Sequence, residues 1–199
     1  MSGFPLTDTH CHLYFDWFDK DRDEVIRAAK QDGLVRMMVP GIDLASSKQA
    51  VELAKANDEI YAAVGIHPNT DQPWNEIHDD QFRHLAKEDK VLAIGEFGLD
   101  YYRDHVAPEV QRVNFKAQLA LADNVDLPVI LHCREAGDDL LEVLEPWVSQ
   151  RISDKTPGIW HSFTSTLEHM ERAIELGFFI GINGIVTYKT ASDLREVVK

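Results

Sequence analysis

Short apolar runs alternate with longer amphipathic ones along the whole chain, and this rhythm constrains the fold more than any other feature. The short runs span 6–13 (LTDTHCHL), 34–40 (LVRMMVP), 60–68 (IYAAVGIHP), 91–100 (VLAIGEFGLD), 128–134 (PVILHCR), 158–163 (GIWHSF) and 177–185 (GFFIGINGI). They are rich in Val, Ile, Leu and aromatics, and Gly, Pro or Asp bounds many of them, which predicts strands. Between them lie helical patterns. The stretch from Asp21 places Val25, Ile26 and Ala29 on one side and stops at Gly33. Another opens at Pro108 and carries Val110, Phe115, Leu119 and Ala122 near helical spacing. A third runs to Gly177, and the closing TASDLREVVK begins one more.

Strands alternating with helices imply a parallel sheet. Two architectures compete, a doubly wound open sheet and a (β/α)8 barrel of TIM type. No glycine-rich phosphate loop follows the first strand, which weakens the dinucleotide-binding version. Seven units with polar groups at so many strand ends fit the α/β barrel, with the eighth strand missing. The 199 residues suit one domain, 1–199, incomplete at the C-terminus, and 44% hydrophobic residues suffice for a sizeable core.

Composition bounds the setting. The net charge of −14, from 20 basic and 34 acidic residues, opposes non-specific attraction to phosphate backbones. No apolar run is long enough to cross a membrane, and MSGFPLTDTH lacks the features of a signal peptide. Cys11 and Cys133 make no disulfide framework, so the expected compartment is a reducing cytoplasm.

The chemistry concentrates at the predicted strand ends. In a strand, residues i and i+2 share a face, so His10 and His12 point together while Cys11 points away. Two imidazoles in one apolar strand compete for partners unless a cation gathers both. Glu96, at the end of its apolar run, is costly to bury alone; a salt bridge to a barrel Lys or Arg is the structural alternative. His132 and His161 end two further strands, where barrel enzymes place their chemistry. Four histidines and a glutamate at the ends of four strands point to metal, with zinc, manganese or iron suited to such ligands. Five ligands exceed the need of one tetrahedral ion and suit two ions bridged by Glu96.

Other residues have lesser claims. His67 follows a strand and is a candidate substrate contact or a loop cap. Arg134 shares the face of His132 and could reach a phosphate oxygen or pair with a carboxylate. Asp100, ahead of Arg103, is expected to order its loop, and Asp8 to orient an imidazole. Cys11 and Cys133 read as small packing residues. His78, His84, His105 and His169 read as surface residues.

The stretches DTHCHL, GIHP, GEFGLDYYR, PVILHCREA, WHSF and NGIVTYKTASDLREVVK closely resemble the TatD-type metal-dependent deoxyribonucleases of the amidohydrolase superfamily. The resemblance runs in order over almost the whole chain. It implies a (β/α)8 barrel, two divalent ions (magnesium, manganese or zinc) held by His10, His12, Glu96, His132 and His161, and hydrolysis of phosphodiester bonds in DNA, often as an exonuclease from the 3′ end. The expected partner is therefore a DNA end or a small phosphodiester, and the expected catalytic residue Glu96, with His67 and Arg134 on the substrate. HSFT and HPN depart from the common family pattern without removing a ligand. In the family an eighth strand follows, with a T-D-x-P motif whose aspartate is a metal ligand and general base. The chain is expected to be a truncation that lacks it, and its activity is accordingly open. Hydrolysis of C–N or lactone bonds, or an inactive metal-binding fragment, are the alternatives.

Overall fold

All seven apolar runs form strands, and the strands are parallel in strictly sequential order in the computed structural model, which describes residues 4–199. Met1, Ser2 and Gly3, the first residues of the segment searched for a leader, lie outside the described residues. The strands are β1 (Leu6–Asp8), β2 (Leu34–Pro40), β3 (Ile60–Val64), β4 (Val91–Asp100), β5 (Val129–Arg134), β6 (Gly158–Trp160) and β7 (Phe179–Ile180). The helices are α1 (Arg22–Gln31), α2 (Leu44–Ala56), α3 (Glu76–Leu85), α4 (Pro108–Val125), α5 (Gly137–Gln150), α6 (Leu167–Glu175) and α7 (Ser192–Val197). A doubly wound sheet reverses its strand order at a switch point; this one never does, so it curls as part of a barrel. Among the described residues β1 pairs only with β2 and β7 only with β6, leaving the curl open.

Strand alternation divides the apolar side chains between two faces. Val39, Val64, Ile94 and Leu131 join Ile26, Val51, Phe82, Phe115 and Leu140 in the larger core, between sheet and helices. Each such buried side chain stabilises by about 1.5–3 kcal/mol. The smaller cluster, Ala63, Ala93 and Ile130 with Met38 and Ile159, occupies the other face. Helix starts follow local chemistry. The Asp43 carboxylate accepts from the Ser46 amide at 2.7 Å, and Asn75 and Thr166 cap α3 and α6 in the same way. Pro108 opens α4 as expected. Gly33 and Gly177 follow α1 and α6 with φ of +98° and +88°, the left-handed region that ends a helix.

Four strands, β1, β3, β6 and β7, stop earlier than their apolar runs. β1 ends at Asp8, so His10 and His12 lie beyond it; β3 ends before His67, and β6 before His161. The ladder thins to single bonds as neighbouring backbones diverge. Cys11 N–H still donates to the Met38 carbonyl, and His161 N–H to that of Leu131, both at 2.9 Å. Those bonds keep each segment alongside its neighbour after regular pairing ends. Glu96 differs in the opposite sense. It lies inside β4 rather than at its end, and the register steps from Gly95–Ile130 to Phe97–Leu131, leaving Glu96 unpaired in a bulge. Bulges of this kind re-aim a side chain.

Candidate metal centre

The bulge turns Glu96 into a ring of imidazoles. Its Oε2 lies 3.0 Å from His10 Nε2 and 3.5 Å from His12 Nε2; its Oε1 lies 3.0 Å from His132 Nδ1 and 3.8 Å from His67 Nε2. The residue is only 3% exposed. Burial pushes its carboxyl upward, but the imidazoles of His10, His12 and His132 around it outweigh that and hold it well below the usual range. The salt bridge to a barrel Lys or Arg is not formed among the described residues; histidines take its place. His161 stacks on His10 with ring centroids 3.3 Å apart. Burial lowers the imidazole of His161 to about 3, the neutral form a metal ligand needs.

Two sets of donor atoms share the glutamate. His10, Glu96 and His161 form one and His67, Glu96 and His132 the other, each with its atoms within 4.8 Å of one another. The grouping does not follow strand order: His10 falls with His161, which follows β6, and His132 with His67 from the loop after β3. His12 adjoins the first set, its Nε2 3.1 Å from that of His10.

The tautomers test whether a cation fits. His12 Nδ1 lies 3.1 Å from the Pro40 carbonyl oxygen, which only accepts, so Nδ1 carries the proton. The lone pair of Nε2 then faces the Glu96 carboxylate, acceptor against acceptor. His10 Nδ1 is buried without a partner among the described residues. A lone pair aimed at a carboxylate is what a divalent ion between them requires, and a carbonyl that fixes the tautomer is the usual support of a ligating histidine. The donor set fits a metal. His67 is built the other way. Its Nδ1 accepts from the Asn69 amide at 3.1 Å, and burial lowers it to about 4, so the neutral ring keeps its proton on Nε2. It faces the site as a hydrogen-bond donor, so Glu96 and His132 supply the ligand atoms that remain in the second set.

His132 is held from both sides. Besides Glu96, its Nε2 lies 3.0 Å from Asp100 Oδ2. Burial works against the charged ring, but Asp100 and Glu96 raise it to about 9. Asp100 does order its loop, accepting from the amides of Tyr102 and Arg103, yet it also reaches the site, a contact that spacing alone did not reveal. Asn69 Nδ2 donates at 2.9 Å to the same Oδ2 that meets His132. Asp8 accepts from the backbone amide of His10, not from an imidazole as expected. Gly98 has φ of +149°, and a Cβ there would overlap the His132 carbonyl oxygen; only glycine lets β5 carry His132 this close.

Among the described residues Arg134 makes no salt bridge. Its guanidinium lies flat on Tyr102, 3.6 Å from the ring centroid. It lines a cavity of about 700 Å³ with His132, His161, Ser162, Ser165 and Tyr188. The Cys11 and Cys133 thiols are pushed by burial up to about 12, which suits packing rather than ligation. His84 and His105 are exposed as expected, and His78 is half-buried. His169 is not a surface residue. Its ring bridges Ser165 Oγ at 2.5 Å and Asp138 at 3.1 Å, in space left by Gly137.

Comparison with known proteins identifies the family of the chain. The model of the family described as TatD-related DNase matches residues 7–199. An uncharacterized metal-dependent hydrolase of Bacillus subtilis, YabD, is 37% identical over 194 residues, covering 98% of this chain and 74% of its own. The Escherichia coli 3′-5′ ssDNA/RNA exonuclease TatD is 35% identical over 195 residues, 97% of this chain and 73% of its own. The crystal structure of YjjV, a TatD homologue from E. coli, superposes with a TM-score of 0.88 at 33% identity, over 97% of this chain and 73% of that one. The chain thus belongs to the TatD-related DNase family and is a metal-dependent hydrolase.

Proposed function

We propose that the chain hydrolyses phosphodiester bonds at single-stranded DNA ends, with two divalent ions held by His10, His12, Glu96, His132 and His161. The observation that carries this reading is Glu96, shared by two sets of imidazoles and faced by the unprotonated Nε2 of His12. The E. coli relative named as an exonuclease supports the substrate class. When bound, the ions would lower the pKa of a water and neutralise charge on the phosphoryl oxygens. Glu96 bridges the donor sets and fixes their spacing. His67 Nε2–H donates toward a phosphoryl oxygen. Arg134, steadied on Tyr102, offers a second contact from the cavity wall. A single domain with a cytoplasmic setting completes the reading; no described helix is long and apolar enough to cross a membrane.

The test uses single-stranded DNA labelled at one end, incubated with manganese or magnesium. Wild-type protein should shorten the strand stepwise from its 3′ end, and His132→Ala should lose that activity. Full activity in the variant, or cleavage of cyclic amides or lactones with none of DNA, contradicts the proposal.

A further inference from the structure

A run of aromatic rings leads outward from the metal centre. The His12 and Phe15 rings lie 5.0 Å apart, Phe15 and Trp17 4.7 Å, and Trp17 and Phe18 6.2 Å between centroids. Trp17 is 70% exposed at the tip of a 3-10 turn, Asp16–Phe18. An exposed indole on a loose loop would be unremarkable, but this turn is tied down. Arg22 donates to the carbonyl of Leu13 at 2.6 Å and of Phe15 at 3.2 Å, and to the Asp19 carboxylate at 2.6 Å. The rings are therefore presented in place, and a ligand bears little ordering cost there.

The metal-site role of His12 leaves Phe15 and Trp17 unexplained. Their position, one short turn away, fits a group attached to whatever the ions hold. Charge narrows the choice. The net charge is −14, and around Trp17 the acids Asp16, Asp19, Asp21 and Asp23 outnumber Lys20 and Arg22, the latter already paired with Asp19, so a phosphodiester backbone gains little along this turn. A flat, uncharged π-system gains more. We propose that Phe15 and Trp17 form a stacking platform for an unpaired nucleobase of the strand whose phosphate sits at the metal centre. Stacking would then supply affinity that this acidic chain cannot draw from basic residues. The platform rests on the nucleic-acid reading above and specifies how it is achieved. A duplex end, whose bases are already stacked, would not use it.

The experiment compares two substrates, a single-stranded oligonucleotide and bis-p-nitrophenyl phosphate, which lacks a base. Trp17→Ala should lower the ratio of kcat/KM for the oligonucleotide over that for the small diester about tenfold, through KM. Phe15→Ala should act in the same direction, and Trp17→Phe should restore most of the ratio. Without metal, oligothymidylate should quench tryptophan fluorescence in wild-type protein, and less in Trp17→Ala. An unchanged ratio with oligonucleotide cleavage intact overturns the platform alone. So does a Trp17→Ala variant that alters only self-association in sedimentation. Wild-type protein that cleaves the small diester but no oligonucleotide overturns the nucleic-acid reading, and the platform with it.

Discussion

The Pro40 carbonyl oxygen sits 3.1 Å from His12 Nδ1 and so directs the other ring nitrogen at Glu96. Pro40 ends β2, whereas His12 lies past the end of β1. One strand thus sets the tautomer of an imidazole carried by its neighbour. Tyr14 Oη, 3.0 Å from the same nitrogen, adds a second partner.

That relationship predicts that His12→Ala weakens divalent-metal binding while leaving the fold intact. Loss of a supporting partner alone costs about 10–100-fold in affinity, and loss of the donor itself should reach the upper end of that range. Calorimetric titration with manganese measures it. Unaltered affinity would remove His12 from the site.

Asp100→Asn tests the opposite side of the centre. The substitution removes the charge facing His132 Nε2 and weakens the bonds to the Tyr102 and Arg103 amides. Metal affinity should fall about tenfold or more. The loop after β4 should also open more often, seen as faster hydrogen exchange at those two amides. Exchange and affinity both equal to wild type would show that Asp100 does neither job.

Gly98→Ala carries the largest expected stability cost. It combines φ of +149° with overlap against the His132 backbone. Loss of about 3 kcal/mol or more is expected, read as a fall in the denaturation midpoint. A variant as stable as wild type would mean that β4 and β5 can separate freely at this point.

Both thiols should resist alkylation in the folded protein. Burial holds Cys11 and Cys133 near 12, and Cys11 Sγ lies 3.4 Å from the Met38 carbonyl oxygen. Iodoacetamide at mildly alkaline pH should label them only after denaturation. Labelling of native protein at the rate of free cysteine would contradict the packing role.

The strand count, the helix positions and the histidines and glutamate at the centre were legible because periodicity and residue type are local properties. The ends of β1, β3 and β6 were not, since a ladder stops where two backbones diverge, and neither sequence alone encodes that. The bulge at Glu96 depends on the register of β5, and the second role of Asp100 on a histidine in another strand. His169 looked like a surface residue because its partners, Ser165 and Asp138, come together only when α5 and α6 pack. The same-side placement of His10 and His12 was read from strand alternation. It holds although the strand has ended, because the Cys11 amide is still bound to Met38.

The central claim is that Glu96 joins two sets of imidazoles into one centre for two ions. Metal content per chain, measured after dialysis against manganese for wild-type protein and Glu96→Ala, tests it most directly. Two ions are expected in the wild type and loss of both in the variant, with folding verified by circular dichroism. A folded variant that keeps the wild-type metal content would contradict it.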